Sequence, residues 1–208
     1  MPKILTFANI KGGVGKTTLC VNMAATLIRK GFKVCAIDAD QQKCLEDWIL
    51  GSNDKYLKKV RLISHEYNFD ETLDCDFVLV DTQGSLTRDL AHFLRISSMV
   101  IVPCRVSRDD VVGRGWIEAF LNEASDNSLK VQVLTVLNGV NKRSSLLLHI
   151  IEQLIEDKIL VSKTTISQRV CFGESNVNKT SIITQNRFAE KEYESLVDET
   201  IQLLKSVD

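Results

Sequence analysis

Residues 11–18 read Lys11-Gly12-Gly13-Val14-Gly15-Lys16-Thr17-Thr18 and follow an apolar run from Ile4 to Ala8. The last part of this stretch has the pattern of a phosphate-binding loop that opens a helix. Its glycines allow backbone N–H groups to converge on phosphate oxygens, and Lys16 can reach the β- and γ-phosphates. The Thr17 hydroxyl can ligate Mg²⁺. The whole stretch is therefore predicted to bind a nucleoside triphosphate with magnesium.

The loop departs from the ordinary pattern G-x-x-x-x-G-K-[ST] at its start, where Ile10 replaces the first glycine and a second lysine, Lys11, follows. Lys16 and the loop amides already hold the phosphates of the chain's own nucleotide. The charge of Lys11 is best explained if it reaches a nucleotide bound by a second subunit. A glycine-rich turn with chance lysines is the alternative, and the flanking strand and helix leave it little room.

Composition favours one cytoplasmic domain over residues 1–208. The chain is 44% hydrophobic, which suffices for one α/β core and is short for two. Its apolar runs fall well below the roughly 20 residues of a membrane span, and no signal peptide is expected. The formal net charge is −1, so any contact with nucleic acid needs a local patch.

The six cysteines are scattered without a C-x-x-C pair, and several lie in apolar runs. This pattern predicts free, buried thiols in a reducing compartment, and the isolated histidines do not predict a zinc site. The cysteines are Cys20, Cys35, Cys44, Cys75, Cys104 and Cys171.

Short β-branched runs alternate with segments of helical periodicity. This alternation predicts right-handed βαβ units and an α/β fold with a mostly parallel central sheet flanked by helices. The predicted strands are Lys3–Ala8, Lys33–Ile37, Phe77–Val80, Met99–Pro103 and Val131–Leu137, with an edge strand at Val60–Ile63. The predicted helices are Lys16–Lys30, Ser85–Arg95, Asp109–Ala124 and Ser144–Lys158.

Acidic residues stand where two of these strands end. Asp38 and Asp40 follow the second strand, and Asp81 follows the Phe77–Val80 strand. Ligands of parallel sheets bind at the carboxyl ends of the strands, where carboxylates can orient Mg²⁺ waters or an attacking water. The alternative is that these aspartates only cap the helices that follow.

The K-G-G-x-G-K-[ST] loop resembles the deviant Walker A motif of the ParA/MinD ATPases. The match is closest to the short, ParF-like plasmid-partition proteins that lack an N-terminal helix-turn-helix. The segment after the second strand resembles the family's D-x-D-P-Q, with Gln41 in place of proline. The segment after Asp81 resembles D-T-P-P-G, shortened by Gln83 and Gly84.

The resemblance implies roles for these residues. Lys11, Lys16 and Asp40 would be catalytic, with Asp40 positioning the hydrolytic water, while Thr17 and Asp81 would hold Mg²⁺ and Asp38 would support the switch. The cofactors would be ATP and Mg²⁺.

Weaker correspondences follow along the chain. Val102–Ser107 with Asp110 is similar to V-P-x-x-x-S-x-x-D, where Asp110 is expected to cap a helix. Asn138 matches an asparagine that reads the adenine edge, although a turn asparagine before Gly139 is the alternative. Ile166–Arg169 resembles the family's Q-R stretch.

The resemblance implies a partition ATPase that forms a homodimer on ATP and binds DNA non-specifically. A small centromere-binding, ParB-like partner would stimulate hydrolysis, and the protein would be nucleoid-associated when ATP-bound. Two alternatives remain open: a positioning ATPase for a protein cargo (chemosensory, microcompartment or division-related), and a non-hydrolysing switch or metabolic P-loop enzyme. Candidate DNA-binding cations are Lys142, Arg143, Lys163, Arg169, Lys179 and Arg187.

The segment after Gln185 predicts a C-terminal helix with one apolar stripe and one acidic face. The apolar stripe is Ala189, Tyr193, Leu196, Val197, Ile201 and Leu204, and the acidic face is Glu190, Glu192, Glu194, Asp198 and Glu199. Because anionic lipid repels such a face, we expect the helix to pack onto the domain, without stable membrane association.

Overall fold

The computed structural model describes residues 1–64, 74–107, 114–117, 119–121 and 131–206. The strands are β1 (Lys3–Phe7), β2 (Val34–Ala39), β3 (Arg61–Ile63), β4 (Phe77–Thr82), β5 (Met99–Cys104), β6 (Gln132–Val140) and β7 (Ile166–Ser167). The helices are α1 (Lys16–Arg29), α2 (Cys44–Leu50), α3 (Arg88–Ile96), α4 (Ser145–Glu156), α5 (Cys171–Val177) and α6 (Arg187–Lys205). Residues 114–117 and 119–121 are also helical.

All seven strands pair in parallel, in the order β3-β2-β4-β1-β5-β6-β7. The predicted fold class is confirmed, and the Val60–Ile63 run supplies the edge strand β3. The central strands are mostly apolar because helices cover both faces of the sheet. In β5, for example, Met99 and Ile101 share a core cluster with α1 and α6, while Val100 and Val102 share another with α3.

The register brings the carboxyl ends of three strands to one edge. Phe7 at the end of β1 is paired with Asp81 of β4, and Asp81 is paired with Asp38 of β2 on its other side. The loop that follows β1 therefore begins beside both acidic strand ends. This register is what assembles the candidate site.

Three short elements were not predicted: α2, β7 and α5. Each has seven residues or fewer, too short for a helical or strand period to be distinguished from chance. Lys43, which precedes α2, also gives no side-chain capping bond. The predicted helix Asp109–Ala124 lies partly outside the described residues.

The cysteine prediction needs correction. Cys35 of β2 and Cys75, just before β4, are joined as a disulfide with their Cα atoms 6.1 Å apart. Cys44 is exposed, whereas Cys20 and Cys104 are buried and outside the disulfide, as expected. The pairing arises because β2 and β4 are neighbours in the sheet, and a separation of 40 residues gives no spacing signal for it.

Helix α6 packs its apolar stripe onto the domain as predicted, with Tyr193, Leu196 and Val197 fully buried. The acidic residues do not form one solvated face, however. Glu190 and Glu194 pair with Arg29, and Asp198 pairs with Lys30, both on the last turn of α1 or its cap. Among the described residues, no helix combines the length and apolar character needed to cross a membrane.

The other two acidic residues of α6 face the segment from Ser162 to Arg169. Glu192 is 8% exposed and accepts bonds from Arg169 at 2.5 Å and from Lys142 at 2.8 Å. Glu199 accepts a bond from the Ser162 hydroxyl at 2.7 Å. The acidic positions therefore tie α6 to its neighbours, which a helical wheel alone does not reveal.

Candidate nucleotide-binding site

The loop Ile10–Gly15 connects β1 to α1. Gly13 and Gly15 have φ of 73° and 93°, values that glycine adopts at little cost and other residues rarely adopt. Gly15 is the N-cap of α1, so the loop amides and the helix N-terminus face the same edge of the sheet. Such an N-terminus, with its unpaired N–H groups, attracts phosphate.

Thr17, Lys16 and Asp81 meet beneath this loop. The Thr17 hydroxyl donates to Asp81 Oδ2 at 2.6 Å. Lys16 is buried although it carries an ammonium group, and Asp81 is only 1% exposed. Asp81 Oδ1 is buried without a hydrogen-bond partner in the part of the chain that the structure describes.

The electrostatics of this trio favour a cation beside Asp81 and an anion beside Lys16. Burial raises the pKa of Asp81 to about 7 against the bond from Thr17, and the Asp38 charge adds to the rise. Burial also lowers the pKa of Lys16, although the nearby charges of Asp81 and Asp40 oppose this. A divalent cation would satisfy the orphaned carboxylate oxygen, and phosphate would favour the ammonium form of the lysine. The residues present fit Mg²⁺ with a nucleotide phosphate.

Asp38 is the penultimate residue of β2, and Asp40 lies in the loop that leads from β2 to α2. Asp38 Oδ1 accepts from the Asp40 N–H at 3.0 Å, and Asp38 Oδ2 accepts from the Glu46 N–H at 2.9 Å. Asp38 thus supports the loop and also caps α2, so both readings of this residue hold. Asp40 Oδ1 accepts from the Gln42 N–H at 2.9 Å.

Asn138 lies within β6 and reaches the phosphate loop. Its Nδ2 donates to the Val14 carbonyl at 2.8 Å, while Gly139 has φ of 67° next to a register shift between β6 and β7. One N–H of the amide is thus used by the loop, and its second N–H and Oδ1 are the groups left for a base. The Thr18 carbonyl accepts from Asn22 within α1.

A cleft of about 450 Å³ opens beside the loop. Lys11, Arg105 and Gln168 line it, and Lys11 is half-buried there. The Gln168 N–H donates to the Val140 carbonyl at 2.9 Å, which fixes this end of the Q-R stretch to β6. Asp110, the predicted cap, lies outside the described residues.

The family model of the CobQ/CobB/MinD/ParA nucleotide-binding domain matches residues 5–182. The chain belongs to this family. Its matched region includes the phosphate loop, all three aspartates and Asn138.

Several relatives span nearly the whole chain. The maintenance of carboxysome distribution protein A of Halothiobacillus neapolitanus is 27% identical over 207 residues, covering 95% of each chain. A Borrelia burgdorferi B31 structure described as a plasmid partition protein bound to AMPPNP has a TM-score of 0.76 at 23% identity, covering 97% of this chain and 99% of that one.

A second similar structure has a different named activity. Cobyrinic acid a,c-diamide synthase of Mycobacterium smegmatis with ADP and magnesium has a TM-score of 0.76 at 18% identity, covering 100% of this chain and 97% of that one. These likenesses support the fold of this ParA/MinD-family chain, and that neighbour holds a nucleotide with magnesium.

Three further residues support the site in this family member. The sequence analysis named Gly84 in the shortened second motif but did not single out Asn9 or Arg105. Asn9 accepts from the Lys11 N–H and donates to the Pro103 carbonyl, both at 2.9 Å, so it fixes the start of the loop. Arg105 donates to the Gly13 carbonyl. A Cβ on Gly84 would lie 3.2 Å from the Ile10 carbonyl oxygen.

Gly84 explains part of the shortened second motif. The segment after Asp81 passes so close to the phosphate loop that a side chain at this position would press on its backbone. The glycine itself was a usable signal, since glycine is required where backbones approach closely. The bonds from Asn9 to the Pro103 carbonyl and from Arg105 to the Gly13 carbonyl have no sequence signal, because each joins residues more than 90 positions apart.

Three of the six candidate DNA-binding cations are held in ion pairs. Lys142 and Arg169 both pair with Glu192, and Lys179 pairs with Asp47. Arg143, Lys163 and Arg187 are exposed.

Proposed function

We propose that this protein is a magnesium-dependent ATPase that dimerises on ATP and partitions DNA with the help of a partner protein. The observation that carries the ATPase assignment is the buried trio of Lys16, Thr17 and Asp81, with Asp81 Oδ1 lacking a partner among the described residues. A buried carboxylate oxygen without a hydrogen bond lowers the stability of the fold unless a ligand binds to it.

In this proposal Thr17 and Asp81 hold Mg²⁺, and the loop amides with Lys16 bind the β- and γ-phosphates. Bound Mg²⁺ would neutralise charge that develops on the phosphate oxygens. Asp40 orients the attacking water, and the bonds of Asp38 keep that loop at the sheet edge. No strongly basic residue is placed to activate the water within the described ranges, so basal turnover is expected to be slow until a partner orders the switch.

The first experiment compares ATP binding and hydrolysis in the wild type, Asp40→Ala and Asp157→Ala. Asp157 is an exposed cap of α4 and serves as the matched control. Asp40→Ala is expected to bind ATP and to lose hydrolysis, while Asp157→Ala keeps both. Equal turnover in the wild type and Asp40→Ala would refute the role of Asp40.

The second experiment tests dimerisation through Lys11. Two phosphate loops that face each other would let each Lys11 contact the other subunit's nucleotide and offset repulsion between the triphosphates. Light scattering with a slowly hydrolysed ATP analogue is expected to show a monomer-to-dimer shift that Lys11→Ala abolishes. Lys205→Ala, an exposed lysine at the end of α6, is the control. A dimer that forms equally well without nucleotide contradicts the proposal.

The third experiment concerns cargo. With a net charge of −1, DNA affinity requires cations gathered across a dimer. Arg143, Lys163 and Arg187 are exposed candidates, as is Lys142, which also pairs with Glu192. Filter retention of duplex DNA is expected with ATP at low salt and is expected to fade as salt rises. Absence of retention under those conditions would remove the DNA-partition assignment.

A second candidate function is the positioning of a protein assembly. The 27% identity to the carboxysome distribution protein extends over 95% of both chains, which favours this alternative over a metabolic enzyme. It predicts that substitution of the exposed arginines leaves ATP hydrolysis and dimerisation unchanged. The DNA-retention experiment therefore separates the two functions.

A further inference from the structure

Lys43 has an unusual backbone conformation at the edge of the candidate site. Its φ is 53°, in the left-handed region that glycine adopts readily and lysine rarely does. Within the described residues, two other non-glycine residues share this feature, Lys158 with φ of 58° and Lys179 with φ of 50°. Of the three, Lys43 is the one beside Asp38 and Asp40.

The side chain of Lys43 closes the loop on which Asp40 stands. Its Nζ donates to the Asp38 carbonyl at 2.6 Å, and its backbone N–H donates to the Asp40 carbonyl at 3.1 Å. β3 pairs with β2 as far as Ile37, so the ammonium group takes the next carbonyl along the strand. The loop is thereby fastened both at the strand end and at the start of α2.

The carboxylates depend on this closure. Asp38 bonds the Asp40 and Glu46 N–H groups, and Asp40 bonds the Gln42 N–H group, all within the segment that Lys43 closes. Strained backbone persists at functional sites where the surroundings fix it. A carboxylate on an unfastened loop would have to be ordered at each turnover, at a cost in conformational entropy.

We propose that Lys43 is a positioning residue for ATP hydrolysis, whose ammonium bond to the Asp38 carbonyl keeps Asp40 at the carboxyl end of β2. This inference rests on the proposed ATPase function. It assigns Lys43 no contact with the nucleotide, so it predicts an effect on kcat rather than on KM.

The test compares Lys43→Gly, Lys43→Asn and Lys158→Gly in the full chain. Lys43→Gly relieves the left-handed strain while it removes the ammonium group, so the melting temperature is expected to stay within about 3 °C of the wild type. Asparagine tolerates the same φ without adding the flexibility of glycine. Lys158→Gly makes the same backbone change after α4, away from the three aspartates.

Both Lys43 variants are expected to lower kcat about tenfold with KM within about twofold of wild type, and Lys158→Gly is expected to leave kcat unchanged. Amide hydrogen exchange without nucleotide provides a second readout. The N–H groups of Asp40, Gln42 and Glu46 are expected to exchange faster in both Lys43 variants and not in Lys158→Gly.

Several results would overturn the inference: an unchanged or higher kcat in Lys43→Gly, a rise in KM alone, or unchanged exchange at the three amides. A slow Lys43→Gly beside a normal Lys43→Asn would assign the effect to backbone flexibility and would overturn it too. The turnover of the wild type tests the ATPase function itself. The exchange measurement reports on Lys43 even if that function fails.

Discussion

Two regions of the molecule bury a carboxylate and treat it in opposite ways. Asp81, at the end of β4, accepts one bond from Thr17, and its second oxygen has no partner among the described residues. Burial raises the pKa of Asp81 to about 7. Burial also acts to raise the pKa of Glu192 on α6, but bonds from Arg169, Lys142 and Ser167 outweigh it and hold the pKa at about 2.

The difference distinguishes a site from a structural contact. The charge of Glu192 is fully compensated by the protein, so it stabilises the packing of α6 and has no bonding capacity left for a ligand. The charge of Asp81 is compensated only in part, so it costs stability until a cation arrives. Burial alone does not identify function, whereas an unmet bonding capacity does.

The largest expected effect concerns hydrolysis. Asp81→Asn is expected to lower ATP turnover about a thousandfold, because it removes the charge that would hold Mg²⁺. Glu192→Gln is expected to stay within about threefold of wild type. Steady-state phosphate release measures both. A loss in Glu192→Gln as large as that in Asp81→Asn would end the distinction between the two carboxylates.

The next effect concerns stability at the α6 contact. Glu192→Ala is expected to cost about 3 kcal/mol at pH 7, because Arg169 loses its partner in a mostly buried position. The folded pKa lies below the unfolded value of 4.5, so this stabilisation is present above pH 4.5 and is lost as the pH falls toward 2. Urea unfolding at pH 7 and pH 3 is expected to show the difference shrinking, with exposed Glu152→Ala near zero at both.

A smaller effect of opposite sign is expected at Asp81. Its folded pKa of about 7 lies above the unfolded 3.8, so stability falls as the pH rises through that window. The ionised carboxylate lowers the free energy of unfolding by roughly 4 kcal/mol above that window. Asp81→Asn removes this cost but introduces an unpartnered amide donor, which costs about 2 kcal/mol.

Without nucleotide or magnesium, Asp81→Asn is therefore expected to be about 2 kcal/mol more stable than wild type at pH 8. At pH 4 the charge penalty is absent, and the variant is expected to be no more stable than wild type. Urea unfolding at the two pH values measures this. A variant that is less stable at pH 8 would mean that Asp81 is already compensated.

The smallest effect concerns the exposed ion pairs of α6. Lys30 contacts Asp198, whose side chain is 56% exposed. Lys30→Ala is expected to cost about 0.5 kcal/mol at low salt and nothing measurable in 1 M NaCl. A cost close to that of Glu192→Ala would show that bonding capacity is not what separates these contacts.

The sequence was sufficient for the phosphate loop, the parallel sheet and the three aspartates. These features have local signals: glycines at fixed spacing, β-branched runs, and acidic residues at strand ends. Even the paired positions of Asp38 and Asp81 follow from parallel strands that end at one edge.

The remainder depends on contacts between distant residues. Glu192 looked like one acid on a polar helix face, and only its approach to Arg169 and Lys142 shows what it does. The Cys35–Cys75 pair, the bond from Asn138 to Val14 and the support of the loop by Asn9 have the same origin. The role of Lys43 could not be predicted for another reason: a lysine in a sequence gives no indication that its φ is positive.

The strand order also has a consequence during synthesis. β1 lies at the centre of the sheet although it is the first strand of the described chain to be made, and its two neighbours are β4 and β5. At ribosomal speed, the roughly one hundred residues needed to complete them take about 5 to 20 s. Leu5 and Phe7 have no flanking strand until β4 is made and only that one until β5 is made. The segment that carries the phosphate loop therefore depends on the nascent chain staying unaggregated until both partners emerge.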